Sequence, residues 1–231
     1  MHFDFYRYVP AVHRDGRKFV YTVGGIALVM LLIWPFLGWL LVLAAAAIAL
    51  FFRDPTRVTP LREGLIVAPA DGEVLSVLKM QGPQELGFGN SERIRISIHL
   101  SLLDVHINRS PIAGRIVRSI YVPGAYLDPT LDKASDQNER RALIIAADDT
   151  VEMAVVQIAG VIARRIVTFA AEGDTLSVGQ RIGLIRFGSR VDVYLPENVS
   201  SLVCEGQRMV AGETVIADCK SDEHGRDSRR S

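Results

Sequence analysis

Three short stretches of this chain carry residue types that could do chemistry. The first is Leu103-Asp104-Val105-His106-Ile107-Asn108. If it is extended, Asp104, His106 and Asn108 project from one face and Leu103, Val105 and Ile107 from the other. A carboxylate two positions from an imidazole can orient the ring and favour its protonated form. The plainer reading is a His–Asp pair that satisfies polar groups at a strand edge. The second is Pro69-Ala70-Asp71-Gly72, where Asp-Gly is a common turn pair and Asp71 alone reads as a turn residue. The third is Gly188-Ser189, between the strand-like stretches Arg181 to Phe187 and Val191 to Leu195. It reads as a tight turn or bulge. A serine preceded by glycine also has an unhindered carbonyl within reach of its own hydroxyl. Attack converts that amide into an ester, provided a base takes the proton and donors hold the oxyanion. His99 is a second candidate base, read more simply as a strand-face residue.

Other chemistries find little support. Gly87-Phe88-Gly89 lacks both the Walker lysine and the full G-x-G-x-x-G spacing, so it reads as a loop. Cys204 and Cys219 form no C-x-x-C, so neither a metal site nor a disulfide framework is expected. With 26 basic and 26 acidic residues the formal net charge is zero. Nucleic acid, which attracts basic surfaces, is therefore not an expected partner.

The elements that must position these residues are mostly strands. In Arg93-Ile94-Arg95-Ile96-Ser97-Ile98-His99-Leu100 the apolar residues alternate with the period of a half-buried strand. Ala142 to Ala147 and Val151 to Ile158, joined across Asp148-Asp149, read as a hairpin. Helix is expected only in short pieces, around Asp128 to Arg141 and near Ser101 to Leu103. The fold class is mainly β, an antiparallel β-sandwich or barrel-like catalytic domain over residues 55–219, followed by a disordered charged tail over 220–231. The segments Ala68 to Val74 and Val210 to Val215 resemble turn-and-strand pieces of lipoyl-like domains. No lysine stands between them in a carrier setting.

Ahead of this domain, residues 1–54 read as a membrane anchor. From Phe19 to Phe52 there is no Asp, Glu, Lys or Arg. One straight helix of that run would measure about 50 Å, against a hydrocarbon core of about 30 Å. Trp34-Pro35-Phe36-Leu37-Gly38-Trp39 places a helix breaker and two interface-favouring residues near its middle. A hydrophobic helical hairpin is expected, with a single tilted span as the alternative. Arg14, Arg17 and Lys18 before the run and Arg53, Arg57 and Arg62 after it would keep both ends cytoplasmic.

Taken together, the chain resembles the short form of the phosphatidylserine decarboxylases. The resemblance is carried by Phe51 to Pro55, Ala68 to Gly72, His99-Leu100-Ser101 through Asp104 to Arg109, Leu131-Asp132-Lys133 with Asn138-Glu139-Arg140, and Gly183 to Pro196. These run in the expected order over about residues 50–217. The processing site reads Phe-Gly-Ser-Arg where the long form has Leu-Gly-Ser-Thr, and Gly188-Ser189 is intact. The resemblance implies that Ser189 attacks the Gly188 carbonyl, that the ester breaks by β-elimination, and that hydrolysis leaves a pyruvoyl group on residue 189. A β chain (1–188) would stay with an α chain (189–231). His106 would be the base toward Ser189, with Asp71 and Asp104 as its acidic partners. The pyruvoyl group would form a Schiff base with phosphatidylserine, and loss of CO2 would give phosphatidylethanolamine without a metal. Lys133 and Arg140 are candidates for meeting the lipid phosphate. The implied place is the cytoplasmic face of a bacterial-type cell membrane, and a homo-oligomer stays open. The competing reading is a membrane-anchored, non-catalytic barrel-sandwich adaptor in which Gly188-Ser189 is only a turn.

Overall fold

The computed structural model describes residues 10–125, 127–128, 130, 137–147, 151–160, 165–186 and 189–226. They belong to two compact units, Met1–Thr56 and Arg57–Ser231.

In the first unit the apolar run breaks where expected. Helix α1 spans Arg14–Ile33 and α2 spans Pro35–Phe51. Pro35 opens α2, where its missing amide hydrogen costs nothing and its fixed φ favours the helix. Trp34 between them is extended, with φ −144° and ψ 86°. The two helices fold back on each other. Strand β1 (Ala11–Val12) pairs antiparallel with β2 (Arg53–Asp54), and the His13 amide donates to the Phe52 carbonyl at 2.8 Å. Close approach depends on glycine, because a Cβ on Gly38 would lie 2.6 Å from the Leu31 amide nitrogen. The chain therefore forms the hairpin rather than one kinked span. By length and composition α1 is able to cross a membrane, and α2 is shorter.

The second unit is built from strands. In chain order they are β3 (Leu65–Val67), β4 (Gly72–Gln81), β5 (Glu92–Leu100), β6 (Ile107–Arg109), β7 (Gly114–Val122), β8 (Arg140–Ala146) and β9 (Glu152–Ala159). Then come β10 (Ile166–Thr168), β11 (Thr175–Leu176), β12 (Arg181–Ile185), β13 (Ser189–Tyr194), β14 (Arg208–Met209) and β15 (Val215–Asp218). A curled eight-stranded antiparallel sheet runs β11-β7-β8-β9-β13-β5-β4-β14, accompanied by a three-stranded sheet β10-β12-β6 and the pair β15-β3. This is the mainly β architecture expected. The two lipoyl-like segments are neighbours, since the Ala68 amide donates to the Thr214 carbonyl at 2.8 Å and β14 pairs with β4.

Both faces of the large sheet are covered. On one, Ile96, Ile98, Leu143, Val155, Val191 and Val193 pack with Ile66, Ile182, Ile185 and Ile216. On the other, Ala142, Ile144, Val156, Ile158 and Tyr194 lie under Leu86 and Phe88. The 142–158 hairpin is present as β8 and β9, its expected acidic turn at 148–149 falling outside the described residues.

The helical expectations fare differently. Ser101 to Leu103 lies in a tight turn rather than a helix, because Asp104 closes it: its amide donates to the Ser101 carbonyl at 3.0 Å, and its carboxylate takes the Ser101 amide at 2.8 Å. Of the 128–141 stretch, Arg140 and Arg141 open β8, where pairing with β7 and β9 overrides any helical tendency, and 131–136 lie outside the described residues. At the tail, Lys220 to Arg226 has neither helix nor strand, and the Arg226 carbonyl accepts from Cys204 Sγ at 2.7 Å.

Gly72 starts β4 with φ +151°, and a Cβ there would stand 2.1 Å from the His99 carbonyl oxygen on β5. Gly72→Ala should therefore destabilise the protein by about 1–3 kcal/mol. A lowered thermal midpoint in detergent, against a midpoint that is not lowered for Gly25→Ala, a glycine of α1 with open space for a Cβ and no positive φ, checks this.

Candidate active site

Ser189 is the first residue of β13, which lies between β5 and β9. It sits opposite Leu100 on one side and Ala159 on the other, and it is fully buried. Alternation sends Ser189 to the same face as Val191 and Val193, toward the larger core, and sends Arg190, Asp192 and Tyr194 to the other. Its Oγ is buried without a hydrogen-bond partner among the described residues. A neutral hydroxyl left unpaired in a core is costly, so such an atom asks for a reason. Gly188 lies outside the described residues.

His106 approaches from the smaller sheet. Strand β6 begins only at Ile107 and pairs with β12, Ile107 opposite Leu184 and Asn108 opposite Gly183. The Ile185 amide, four residues before Ser189, donates to the His106 carbonyl at 3.2 Å. His106 is fully buried, and its Nδ1 lies 2.9 Å from the Asp104 carbonyl oxygen. A carbonyl can only accept, so Nδ1 carries a proton, and in the neutral tautomer the lone pair lies at Nε2.

The stretch 103–108 is thus not one extended face. Leu103 is exposed, whereas Asp104, Val105, His106, Ile107 and Asn108 are all buried. The cause is the turn at Ser101–Asp104, which uses the Asp104 carboxylate locally. Oδ2 accepts from the Ser101 amide and from Ser101 Oγ at 2.7 Å, and Oδ1 accepts from Arg208 at 2.5 Å. Burial alone pushes the Asp104 carboxyl up, but the hydrogen bonds from Ser101 and the Arg208 guanidinium hold it below the ordinary carboxylate range. Asp104 meets the His106 ring through its main chain.

Asp71 is partly buried ahead of β4. Its Oδ2 accepts from Arg57 at 2.6 Å and its Oδ1 from the Ala211 amide at 2.7 Å. The carboxylate therefore ties the segment after the β13 region to the segment before β4.

Asn108 of the 103–108 stretch is joined here by Gln157, which spacing did not single out, and by Asn138. Gln157 on β9 lies opposite Val191 and so shares the Ser189 face. Its Nε2 donates to Asn108 Oδ1 at 2.7 Å across the two sheets. This contact needs Gly183, where a Cβ would stand 2.7 Å from Gln157 Nε2. Both amides are fully buried, and Asn108 Nδ2 is left as a donor without a partner among the described residues. Asn138 anchors the end of β9, donating to the Ala159 carbonyl at 2.8 Å beside Ser189. The polar interruption Val155-Val156-Gln157-Ile158 within an apolar strand was the available signal for Gln157.

Other candidates stand elsewhere. His99 and Arg190 are directly opposed, as are Arg140 and Ile158, which in turn opposes Arg190. All three therefore lie on the face away from Ser189. Arg140 Nε donates to Glu85 at 2.9 Å there, and Arg190 is clamped to Asp192 at 2.6 Å and Ser97 at 2.7 Å. Lys133 lies outside the described residues. Among the described residues no group of three or more His, Cys, Asp or Glu side chains is placed to hold a metal ion. A cleft of about 620 Å³ lined by Pro60, Gly64, Ile112 and Lys220 contains none of the residues around Ser189.

The geometry is that of a buried hydroxyl on a central strand, a histidine with its Nε2 as the basic atom, and an oriented amide pair. Comparison with known proteins identifies the family. The sequence profile described as phosphatidylserine decarboxylase matches residues 44–217. The phosphatidylserine decarboxylase proenzyme of Ruegeria pomeroyi is 53% identical over 211 residues, covering 91% of this chain and 96% of the relative. The profile takes in every strand from β3 to β15 but the last residue, together with Ser189, His106 and Asp71. The chain belongs to the phosphatidylserine decarboxylase family.

Proposed function

We propose that this chain is a self-processing decarboxylase that converts phosphatidylserine to phosphatidylethanolamine and CO2, using a pyruvoyl group made from its own Ser189. The observation that carries the reading is Ser189 itself: a fully buried serine hydroxyl with no hydrogen-bond partner among the described residues, at the start of a central strand. An atom so placed fits a precursor whose hydroxyl is consumed. The pyruvoyl group supplies an electrophilic carbonyl that condenses with the substrate amine and takes up the electron pair released with CO2.

The chain's own residues do the rest. His106 Nε2 accepts the Ser189 hydroxyl proton during maturation and later holds a proton for the carbon that has lost CO2. The Asp104 carbonyl keeps Nδ1 protonated, so that only Nε2 is basic. Asn108 Nδ2, oriented by Gln157, is the donor for the oxygen on which negative charge develops. Asp71 and Asp104 act as positioning residues, the first through Arg57 and the Ala211 amide, the second by fixing the turn that leads into His106. The β chain 1–188 and α chain 189–231 would remain together, since β13 is laddered between β5 and β9, β14 to β4 and β15 to β3. The apolar hairpin supports retention at a membrane, where a two-chain lipid substrate resides. Residues 14–18 and 53–62 carry the basic flanks that favour the cytoplasmic side.

Intact-mass measurement of purified protein should find two chains divided between Gly188 and Ser189. Ser189→Ala should give one uncut chain, and cleavage at that bond in this variant would remove Ser189 from its role. His106→Gln should slow both cleavage and turnover by about 10²–10⁴-fold, and Asn108→Leu by about 10²–10³-fold. Wild-type rates in either would return that residue to a packing role.

Asp104 also has a pH signature. Its carboxyl is lower in the folded protein than in the unfolded chain, so its stabilisation is complete above the ordinary range and disappears as pH falls through the lowered value. Relative to Asp104→Asn, the wild type should have the higher thermal midpoint at pH 7 and lose that advantage below about pH 4. A difference between the two proteins that does not change with pH would show that the carboxylate is not the source.

A further inference from the structure

The turn that closes β5 presents two consecutive leucines to solvent. Leu102 is 52% exposed and Leu103 72%, although His106, three residues further on, is completely buried. The exposure does not come from a loose loop. The Asp104 carboxylate, itself nearly inaccessible, accepts from both the amide and the hydroxyl of Ser101, and the Asp104 amide returns a bond to the Ser101 carbonyl. The two leucines are thus held outward on a braced tip. A cation stands at the same place. Arg208 binds Asp104 Oδ1 while its side chain remains 62% exposed. Its strand is the edge of the large sheet, Arg208 opposing Glu73, which in turn opposes His99 near the end of β5.

A water-facing surface gains nothing from paired leucines on a rigid tip, whereas an interface between hydrocarbon and phosphate accommodates both parts. We propose that the Ser101–Asp104 turn docks on the phospholipid bilayer, with Leu102 and Leu103 entering the acyl boundary and Arg208 meeting lipid phosphate at headgroup level. This rests on the reading of the chain as an enzyme acting on phosphatidylserine. It adds a contact of the catalytic unit itself, separate from the apolar hairpin. The bilayer is favoured over a protein partner because the substrate's headgroup must reach His106 and Ser189, and this turn runs directly into His106. Docking there brings the membrane surface to the chain segment that leads into the site.

The test uses the full chain, reconstituted in phosphatidylcholine vesicles containing long-chain phosphatidylserine, beside the same protein in detergent with monomeric dihexanoyl phosphatidylserine. Leu102→Ser/Leu103→Ser should cleave at Gly188-Ser189 normally and turn over the monomeric substrate at the wild-type rate, yet lose at least fivefold on vesicles. Arg208→Gln should lose less, about twofold to threefold as expected of one cation near an anionic surface, and its deficit should shrink at high salt. Unchanged vesicle turnover in the leucine variant overturns the proposal, and so does an equal loss on both substrates, which would place the turn in the catalytic fold. A second readout is independent of turnover. A fluorophore on Leu103→Cys, in a chain with Cys204→Ala and Cys219→Ala, should be quenched by nitroxide on the lipid acyl chains, and absence of quenching also overturns docking. A wild type inert toward both phosphatidylserines while the fluorophore is quenched would instead refute the proposed reaction and leave the docking standing.

Discussion

Everything around the site depends on one placement: Ser189 begins a strand that is hydrogen-bonded on both sides. A central strand in a sheet covered on both faces has no water to complete its polar groups, so each must find a partner within the protein or bear the cost. The backbone of β13 meets this through β5 and β9. Its polar side chains meet it on the far face, where Arg190, Asp192 and Ser97 satisfy one another. Among the described residues the Ser189 hydroxyl finds no such partner. An unsatisfied buried hydroxyl is tolerable when it is a reactant. On the proposed reading the same surroundings would suit a nucleophile, since they would exclude water competing for its proton and for the ester it would form.

The same placement explains why two sheets are needed. The large sheet supplies Ser189 and Gln157, while the small one supplies Asn108 and is entered directly from His106, and the Gln157–Asn108 bond joins the sheets at a point where only glycine fits on β12. Histidine and serine are far apart in sequence, yet the Ile185 amide binds the His106 carbonyl four residues before Ser189. That bond ties His106, the base on the proposed reading, to the strand that precedes Ser189 in sequence.

Much of this was legible in the residues, and the limits have physical causes. Strict alternation in Arg93 to Leu100 and the Trp34-Pro35 break are local signals, and β5 and the helical hairpin follow them. Which face a side chain occupies relative to Ser189 depends on register with strands distant in sequence, so spacing alone could not place His99 or Arg140 on the far face. The shape of 101–108 departs from the extended expectation for another reason. Asp104 can bond to the amide three residues before it, and that local bond competes successfully with extension. Gln157 was hidden inside an apolar run, where a lone amide looks like an interruption until the neighbour that orients it is known.

Cleavage between residues 188 and 189 would convert the middle of a chain into an end, and chain ends fray unless they are held. On the proposed reading the residue to be held is also the one that would have to remain aligned with His106. Ladders on both sides of β13 provide part of the restraint. Arg190 provides a further part, because its guanidinium, on the first residue beyond Ser189, is fixed by Ser97 of β5 and by Asp192 of its own strand. The segment preceding the cut would be retained separately, through the β12–β6 pairing. Each side of the proposed cut thus has its own anchorage, so cleavage there would not need to move Ser189. If the chain is cut there, a sheet more elaborate than one serine and one histidine require would serve to keep a new chain terminus in the place where an internal residue had been.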